Sequence, residues 1–487
     1  MKRSFIIILV CILSIPAMFA QTAEDALRYS RVMYSGTARF NGLSGAFGAL
    51  GADFSTLTVN PAGIGLYKGS EMTITAAPIV SYATSIYNGS EASDSRVNFG
   101  LGNIGAVLNI SPYAKNKTGP LKSFNIGIGL NRQNDFNNQV VINGVNAKNS
   151  LMQSYANTLN DAQEPEQYIN DDYPFDIGLA YGANLVYFDS AANKYLCDAA
   201  YGGVLQNKVI TTHGSMNEFD FSMGANFNDQ LFFGMTFGVP TINYYEHTQY
   251  QETRTKDTIP NFISLNYYSD LHTTGTGLNF KLGVIYKPAD WVRIGASIHT
   301  PTWFPTMRDR WSSSMQSTFT NTDWNSTQYS PEGSYDYRLT TPFRAIGSLA
   351  FIIGQYGLVS ADYEYVNYSQ ARFNSTYDSY TDLNNTIKTS FKSWGNIRVG
   401  TEWRLSDFRL RGGFAYFSNP YSSGTNNSER FQVSGGFGYR TKYFFADVTY
   451  VWARMNQDYY LYDASMVNAA VISNYTNSVM TTVGFRF

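Results

Sequence analysis

Chemistry needs side chains that titrate, ligate or attack, so the four histidines come first: His213, His247, His272 and His299. None stands in an HExxH arrangement, no GxSxG elbow is present, and no Cys/His spacing would gather a zinc ion. A Ser–His pair formed across strands is recognised by geometry and leaves no trace in a sequence. Asp362 and Glu364 stand two apart in VSADYEYVNY and share one face of an extended chain, turned as internal charges to Arg344 or Arg398. From these patterns no catalytic residue, no metal site and no cofactor is expected.

The stretch from Gly36 to Tyr67 offers mechanics in place of chemistry. Gly42, Gly45, Gly48 and Gly51 recur every third residue, in Ser44-Gly45-Ala46, Phe47-Gly48-Ala49 and Leu50-Gly51-Ala52. Each glycine costs a free helix about 1 kcal/mol against alanine. The same spacing lets a backbone approach a close neighbour or stay deformable. Asn60-Pro61-Ala62-Gly63 follows: Pro61 fixes φ, Asn60 is placed to bond the following backbone, and Gly63 admits positive φ, so the chain turns. A glycine-rich loop of a soluble fold would carry the same pattern, so the decision falls to composition.

The chain has 487 residues, 15% charged and 16% aromatic, with 37 Tyr and 33 Phe. A soluble protein usually carries about 25% charge, and no Pro/Ser-rich linker divides this length into domains. Uncharged polar residues fill the gap, as suits a chain with lipid on one side and water on the other. Lys2-Arg3, an apolar core from Phe5 to Ile15 and Ala17-Met18-Phe19-Ala20 before Gln21 read as a signal peptide over 1–20. Its loss takes the formal charge from −2 to −4 and leaves Cys197 as the single cysteine. No intramolecular disulfide forms, and nothing basic is left for nucleic acid. After the signal no run of about eighteen apolar residues exists, so transmembrane helices are excluded.

The hairpin from Gly275 to Thr300 makes the positive case. Leu278, Phe280, Leu282, Val284 and Tyr286 alternate with Asn279, Lys281 and Gly283. After the Lys287–Asp290 turn, Ile294, Ala296 and Ile298 alternate with Arg293, Gly295, Ser297 and His299. Apolar outward and polar or glycine inward is the signature of a membrane barrel. Such strands are expected near 71–83, 96–110, 121–131, 207–227, 231–250, 275–287, 292–300, 337–352, 357–368, 390–404, 409–417, 430–440, 444–454 and 472–487. Short connections (such as Asn228-Asp229-Gln230 and Gly354-Gln355-Tyr356) alternate with long ones at 132–206, 251–274, 301–336, 369–389 and 455–471. This places the long ones outside the cell. His247 and His272 then fall at or in a long loop, His213 and His299 in strands. The fold class is all-β: a transmembrane antiparallel barrel of about 14 strands spanning 71–487, preceded by a segment, 21–70, inside its lumen. In the longest loop, Leu151, Met152, Tyr155 and Leu159 have helical spacing over Ser150–Leu159, and a short helix whose apolar side collects ligand is expected there.

With that context, Gly42 to Ala52, Asp53-Phe54-Ser55 and above all Asn60-Pro61-Ala62 resemble the N-terminal hatch of the FadL/TodX family of outer-membrane transporters for hydrophobic compounds. The resemblance covers residues 36–67. It implies a hatch gated through Gly45, Gly48, Gly51 and Asn60 to Gly63, and passive passage of fatty acids or aromatic hydrocarbons. Exit is then sideways at a kinked third strand, where Asn125, Gly127 and Gly129 face inward. Implied partners are the hydrophobic ligand, outer-membrane lipids and the barrel-assembly machinery, which reads the last strand ending in Phe487; the protein would be a monomer. Two alternatives stay open: a general porin, which needs an open lumen, and a lipase- or protease-like barrel enzyme acting on lipids.

Overall fold

Alternation in the sequence becomes strand pairing in space. The computed structural model describes residues 21–110, 119–201, 203–256, 259–422 and 426–487; the expected signal peptide and most of the 111–120 connection lie outside the described residues. The wall strands are β1 (Glu71–Tyr87), β2 (Ser90–Ile110), β3 (Leu121–Asp135), β4 (Val204–Phe227), β5 (Leu231–Arg254), β6 (Phe262–Ala289) and β7 (Val292–His299). They continue as β8 (Arg344–Ile353), β9 (Gly357–Asn367), β10 (Ser393–Leu405), β11 (Phe408–Phe417), β12 (Arg430–Arg440), β13 (Phe444–Tyr459) and β14 (Ala470–Arg486). Each pairs antiparallel with the next and β14 pairs with β1, closing a 14-strand barrel. Closure lets a sheet satisfy its backbone groups without water. The two faces are those expected: Leu282, Ile294 and Ile298 are exposed outward, while Lys281, Ser297 and His299 are buried in the lumen.

Three expected boundaries change. The strand expected over 337–352 is two, Gly333–Thr340 and β8, broken around Pro342, which fixes φ and donates no hydrogen bond. The expected loops 251–274 and 301–336 are mostly strand. The upper half of β6 pairs with Trp303–Phe319, which hairpins onto Gly333–Thr340, so the sheet rises well beyond the membrane. His247 and His272 therefore lie in strands, not in a loop. Above the membrane the outer face of these strands turns polar while residues such as Met307, Met315 and Leu339 stay buried inside, so the outward apolar alternation that marks a strand in lipid vanishes while the pairing continues.

The 132–206 connection holds the strand Asn138–Asn146, which pairs with the top of β4, and the helix Leu151–Ala162. Ser150 caps that helix by accepting from the Met152 N–H at 3.1 Å. Leu151, Met152, Ala156 and Leu159 are buried in an apolar core that also takes Tyr87, Ile142, Phe262 and Ile472. The loop is thus a packed cap tied to three parts of the wall.

Residues 21–70 thread the lumen as α1 (Ala23–Ser30), α2 (Ala38–Gly42), α3 (Thr56–Val59) and a 3₁₀ helix, Pro61–Leu66. Such short helices are unstable alone. Here they are held by the wall: Phe40, Phe47, Phe54 and Leu57 are fully or nearly fully buried, and Ser44 Oγ lies 2.8 Å from Ser434 Oγ of β12. Replacing Ser44 and Ser434 together with cysteine is expected to give a disulfide under mild oxidation. It would be visible as a mobility shift of the unheated protein that reductant reverses. Failure to form, with the barrel folded, would mean the hatch does not rest against β12.

Candidate functional site

The motif Asn60-Pro61-Ala62-Gly63 works as a hydrogen-bond junction. Pro61 opens the 3₁₀ helix, where its missing N–H is no loss, and the Asn60 side chain caps that helix by accepting from Ala62 N–H at 3.1 Å. The Asn60 amide then donates in two directions, to Gly48 O (2.6 Å) and to Val284 O of β6 (3.2 Å). On the other side of the Gly48 peptide, the N–H groups of Phe47 and Gly48 donate to the Asp362 carboxylate of β9, at 2.9 and 3.0 Å. One continuous chain of bonds therefore crosses the lumen from β9, through the glycine stripe and Asn60, to β6.

The glycines allow this approach. A side chain on Gly48 would meet Ser348 Oγ at 1.9 Å, and one on Gly283 of β6 would meet Asn60 Oδ1 at 1.9 Å. Gly45 and Gly51 have φ of 80° and 66°, open mainly to glycine. Gly51 packs on Gly63, whose carbonyl accepts from Ala52 N–H at 3.0 Å. Ala62 is buried against Phe232 and Ile285.

Other wall groups satisfy the hatch carbonyls. Ser297 Oγ and His299 Nε2 meet Val59 O at 2.7 and 2.9 Å, Thr236 bonds Leu57 O at 3.1 Å, and Asn125 of β3 bonds Ile64 O at 2.8 Å. Gly127 and Gly129 face Leu57, Ile64 and Phe54 with almost no clearance, so they seat the hatch. Below the stripe, Arg39 pairs with Glu402 (3.0 Å), which pairs with Arg411 (2.8 Å), which pairs with Asp447 (2.7 Å). Glu364 pairs with Arg344 and Arg398 as expected, whereas Asp362 serves the hatch backbone instead of an arginine.

Two features lie above the hatch. The first is a cavity of ≈ 620 Å³, lined among others by Leu27, Arg31 and Tyr34 of the hatch, Ile79 of β1, Phe136 and Arg430 of β12. Burial pushes the Glu24 carboxyl at its rim upward, against the hydrogen bond donated by Tyr421 Oη at 2.5 Å, and pushes the Tyr34 phenol up. The second is a break in wall pairing. β2 pairs with β3 only over Asn103–Ile110, so among the described residues Ser90–Gly102 has no partner on that side. There β3 bends inward and takes another partner. The N–H of Met33 donates to Gln133 O (2.7 Å) and that of Ser35 to Arg132 O (3.0 Å). Arg132 and Asp135, at the bend, also line the cavity.

The site thus gathers Asn60 to Gly63 with Gly45, Gly48 and Gly51, and sets Asn125, Gly127 and Gly129 against them from β3. It does not gather Leu151, Met152 and Tyr155: Leu151 and Met152 face the packed cap and none of the three lines the cavity. Nor do the histidines form a nucleophile site; His247 pairs with Asp270 at 2.7 Å, and Tyr245 stacks between His213 and His272. Asp362, Arg39, Met33 and Ser35 escaped sequence reasoning. Period two marks Asp362 as inward, but nothing local says which hatch group an inward residue meets.

Fold and site define an outer-membrane-type β-barrel plugged by its own N-terminal segment. Its fold is that of the FadL- and TodX-type channels. The TodX toluene transporter of Pseudomonas putida superposes with a TM-score of 0.55 at 11% identity, covering 94% of this chain and 100% of that one. A FadL homologue of Pseudomonas aeruginosa gives 0.53 at 11% identity, covering 94% and 99%. No family model matches the chain, and no curated protein matches it in sequence. The hatch resemblance confined to 36–67 is therefore joined by likeness of fold over nearly the whole length.

Asn60→Ala leaves the Gly48 and Val284 carbonyls without this donor, an imbalance of about 1–3 kcal/mol if unrelieved. About 1.4 kcal/mol shifts a hatch equilibrium tenfold. The variant is expected to fold with normal heat-modifiable migration and to raise small-ion conductance in planar bilayers severalfold. Wild-type conductance in both Asn60→Ala and Asp362→Asn would reduce the junction to a turn.

Proposed function

We propose that this protein carries hydrophobic small molecules passively through the outer membrane: capture in the lumen cavity, movement of the hatch, and sideways release between β2 and β3. The observation that carries the reading is the unpaired edge of β2, Ser90–Gly102, which ends where Arg132 and Asp135 of β3 line a cavity also walled by the hatch. A chain in lipid leaves a strand edge unpaired only at a cost of several kcal/mol per buried backbone group, so such an edge needs a reason. An apolar solute gains about 0.8 kcal/mol per buried methylene and would lose it again in periplasmic water; sideways release keeps it in the membrane.

The ligand class is an amphiphile, a long-chain fatty acid in preference to a bare aromatic hydrocarbon. Arg31 reaches Ser428 Oγ at 2.6 Å and Arg430 reaches Gln432 at 3.4 Å, and among the described residues neither arginine has an ion-pair partner. The Arg430 Nε is buried and unbonded. Two guanidiniums without carboxylates suit an anionic head, while Leu27, Ile79 and Phe136 suit a tail. The backbone bonds from Met33 and Ser35 make the hatch a competitor of β2 for the edge of β3, so hatch movement and gap width are linked.

A diazirine-bearing fatty acid tests the path in reconstituted protein. Adducts are expected on cavity residues and on β2 between Val97 and Gly102. Adducts confined to the hatch floor, Pro61 to Ser70, would replace sideways release with axial passage. Met33→Pro with Ser35→Pro removes both donors to β3 and is expected to change uptake at least threefold while the barrel still assembles.

A further inference from the structure

Outside the lumen, the face of the raised hairpin carries an unusual set of charges. In the lower part of Trp303–Phe319, Phe304, Met307 and Asp309 are buried, so Trp303, Arg308 and Arg310 share the outer face. In Gly333–Thr340, Tyr337 and Leu339 are buried and Ser334, Asp336 and Arg338 face outward. Register places Arg308 beside Asp336, Arg310 beside Ser334 and Trp303 beside Thr340, next to Arg372 of the following strand. Four arginines therefore share this face with two carboxylates, Asp336, which Arg308 holds with two bonds of 2.6 Å, and Asp270 of β6, opposite Ser312, which His247 holds at 2.7 Å. Arg338 bonds only Thr376 Oγ1 (3.2 Å) and Arg372 only the carbonyls of Ser369 and Ala371 (2.6 Å each). Among the described residues Arg310 makes no ion pair.

We infer that this face docks the phosphorylated head of an outer-leaflet glycolipid. Beneath the arginines lies the lipid-facing belt, with Trp303 at 45%, Leu278 at 41% and Phe343 at 37% exposure, where acyl chains would pack. Arg338, Arg308 and Arg310 stand roughly 7, 13 and 20 Å along the strands beyond Trp303, counting about 3.3 Å per residue. Strands tilted about 45° turn this into heights of roughly 5–14 Å above the hydrocarbon. A phospholipid head-group layer is only about 5–8 Å thick on each side of the core. The strip is taller than that layer, and it fits phosphates spread across a sugar head. Guanidinium is the group suited to bind them, through paired N–H donors in a fixed plane. This assignment rests on the outward orientation of the cap and is independent of the transport reading.

The test uses the full chain folded in detergent and native mass spectrometry with three probes: bisphosphorylated lipid A, its dephosphorylated form and phosphatidylglycerol. Lipid A is expected to be retained at least about tenfold better than the other two, the scale of one charge-assisted hydrogen bond. Arg310→Gln with Arg338→Gln is expected to bring its retention down to that of the dephosphorylated form. Equal retention of dephosphorylated lipid, equal retention of phosphatidylglycerol, or wild-type retention by the double variant each overturns the assignment. Heat-modifiable migration reports folding of the variant. Arg310→Gln alone, which breaks no described ion pair, gives the same readout should the double variant fail to assemble.

Discussion

Lipid offers no partner to a backbone N–H or C=O, and the rest of this molecule follows from that. Fourteen strands close so that nearly every edge is paired. Closure makes a tube, and a tube this wide needs filling if it is not to leak. The filling is the chain's own N-terminal segment, held both by polar groups of the wall and by small apolar clusters of its own, such as Phe40, Leu43, Phe47 and Leu50. Among the described residues a long stretch of wall without its neighbour, Ser90–Gly102, is where the protein departs from the constraint, and β3 is bonded there by Met33 and Ser35 of the hatch.

Two scales of stability are thereby separated. Cross-strand bonding holds the barrel cooperatively, while the hatch is held by individually modest bonds, many from side chains to single carbonyls such as Val59 O, Leu57 O and Ile64 O. Each is worth about 1 kcal/mol net, so a few can be exchanged without threatening the wall. The Arg39–Glu402–Arg411–Asp447 chain is different. Buried ion pairs resist loss of one partner by about 3–5 kcal/mol, so this set ties the hatch at α2 more firmly to the wall than those single bonds do. From Gly45 to Gly63 the glycines supply the close contact with the wall.

Much of the wall was legible in the sequence because lipid imposes a periodic demand. Wherever a strand faces hydrocarbon, as in Leu278–Tyr286, every second residue must be apolar, and a wall strand overlaps each of the fourteen expected stretches, the one over 337–352 having taken in part of Gly333–Thr340 as well. The raised hairpin escaped because water imposes no such demand: Ser312, Ser314 and Gln316 pair in register with β6 yet look like loop. Helical spacing over Ser150–Leu159 identified the cap helix correctly, but spacing says only that one side is apolar, not what covers it. That side is packed in the cap. Within the hatch, Asn60-Pro61-Ala62-Gly63 was visible as a turn. Its wall partner Val284 lies 224 residues away, and a main-chain carbonyl carries no sequence signal at all.

The glycines of β3 illustrate how one feature serves two accounts. Gly127 and Gly129 suggest a kinked gate strand, yet each is explained by what it faces: the Leu57 and Ile64 side chains for the first, the β2 backbone at Ile104 and Gly105 together with Phe54 for the second. What loosens β3 from β2 is instead the change of partner at Arg132, the residue directly after the last shared pair at Asn131. The gap thus begins where hatch backbone replaces wall backbone, not where glycine replaces a larger residue. The segment Met33–Ser35 thus does two things at once: it lines the lumen cavity, and by two hydrogen bonds it takes the edge of β3 that β2 leaves.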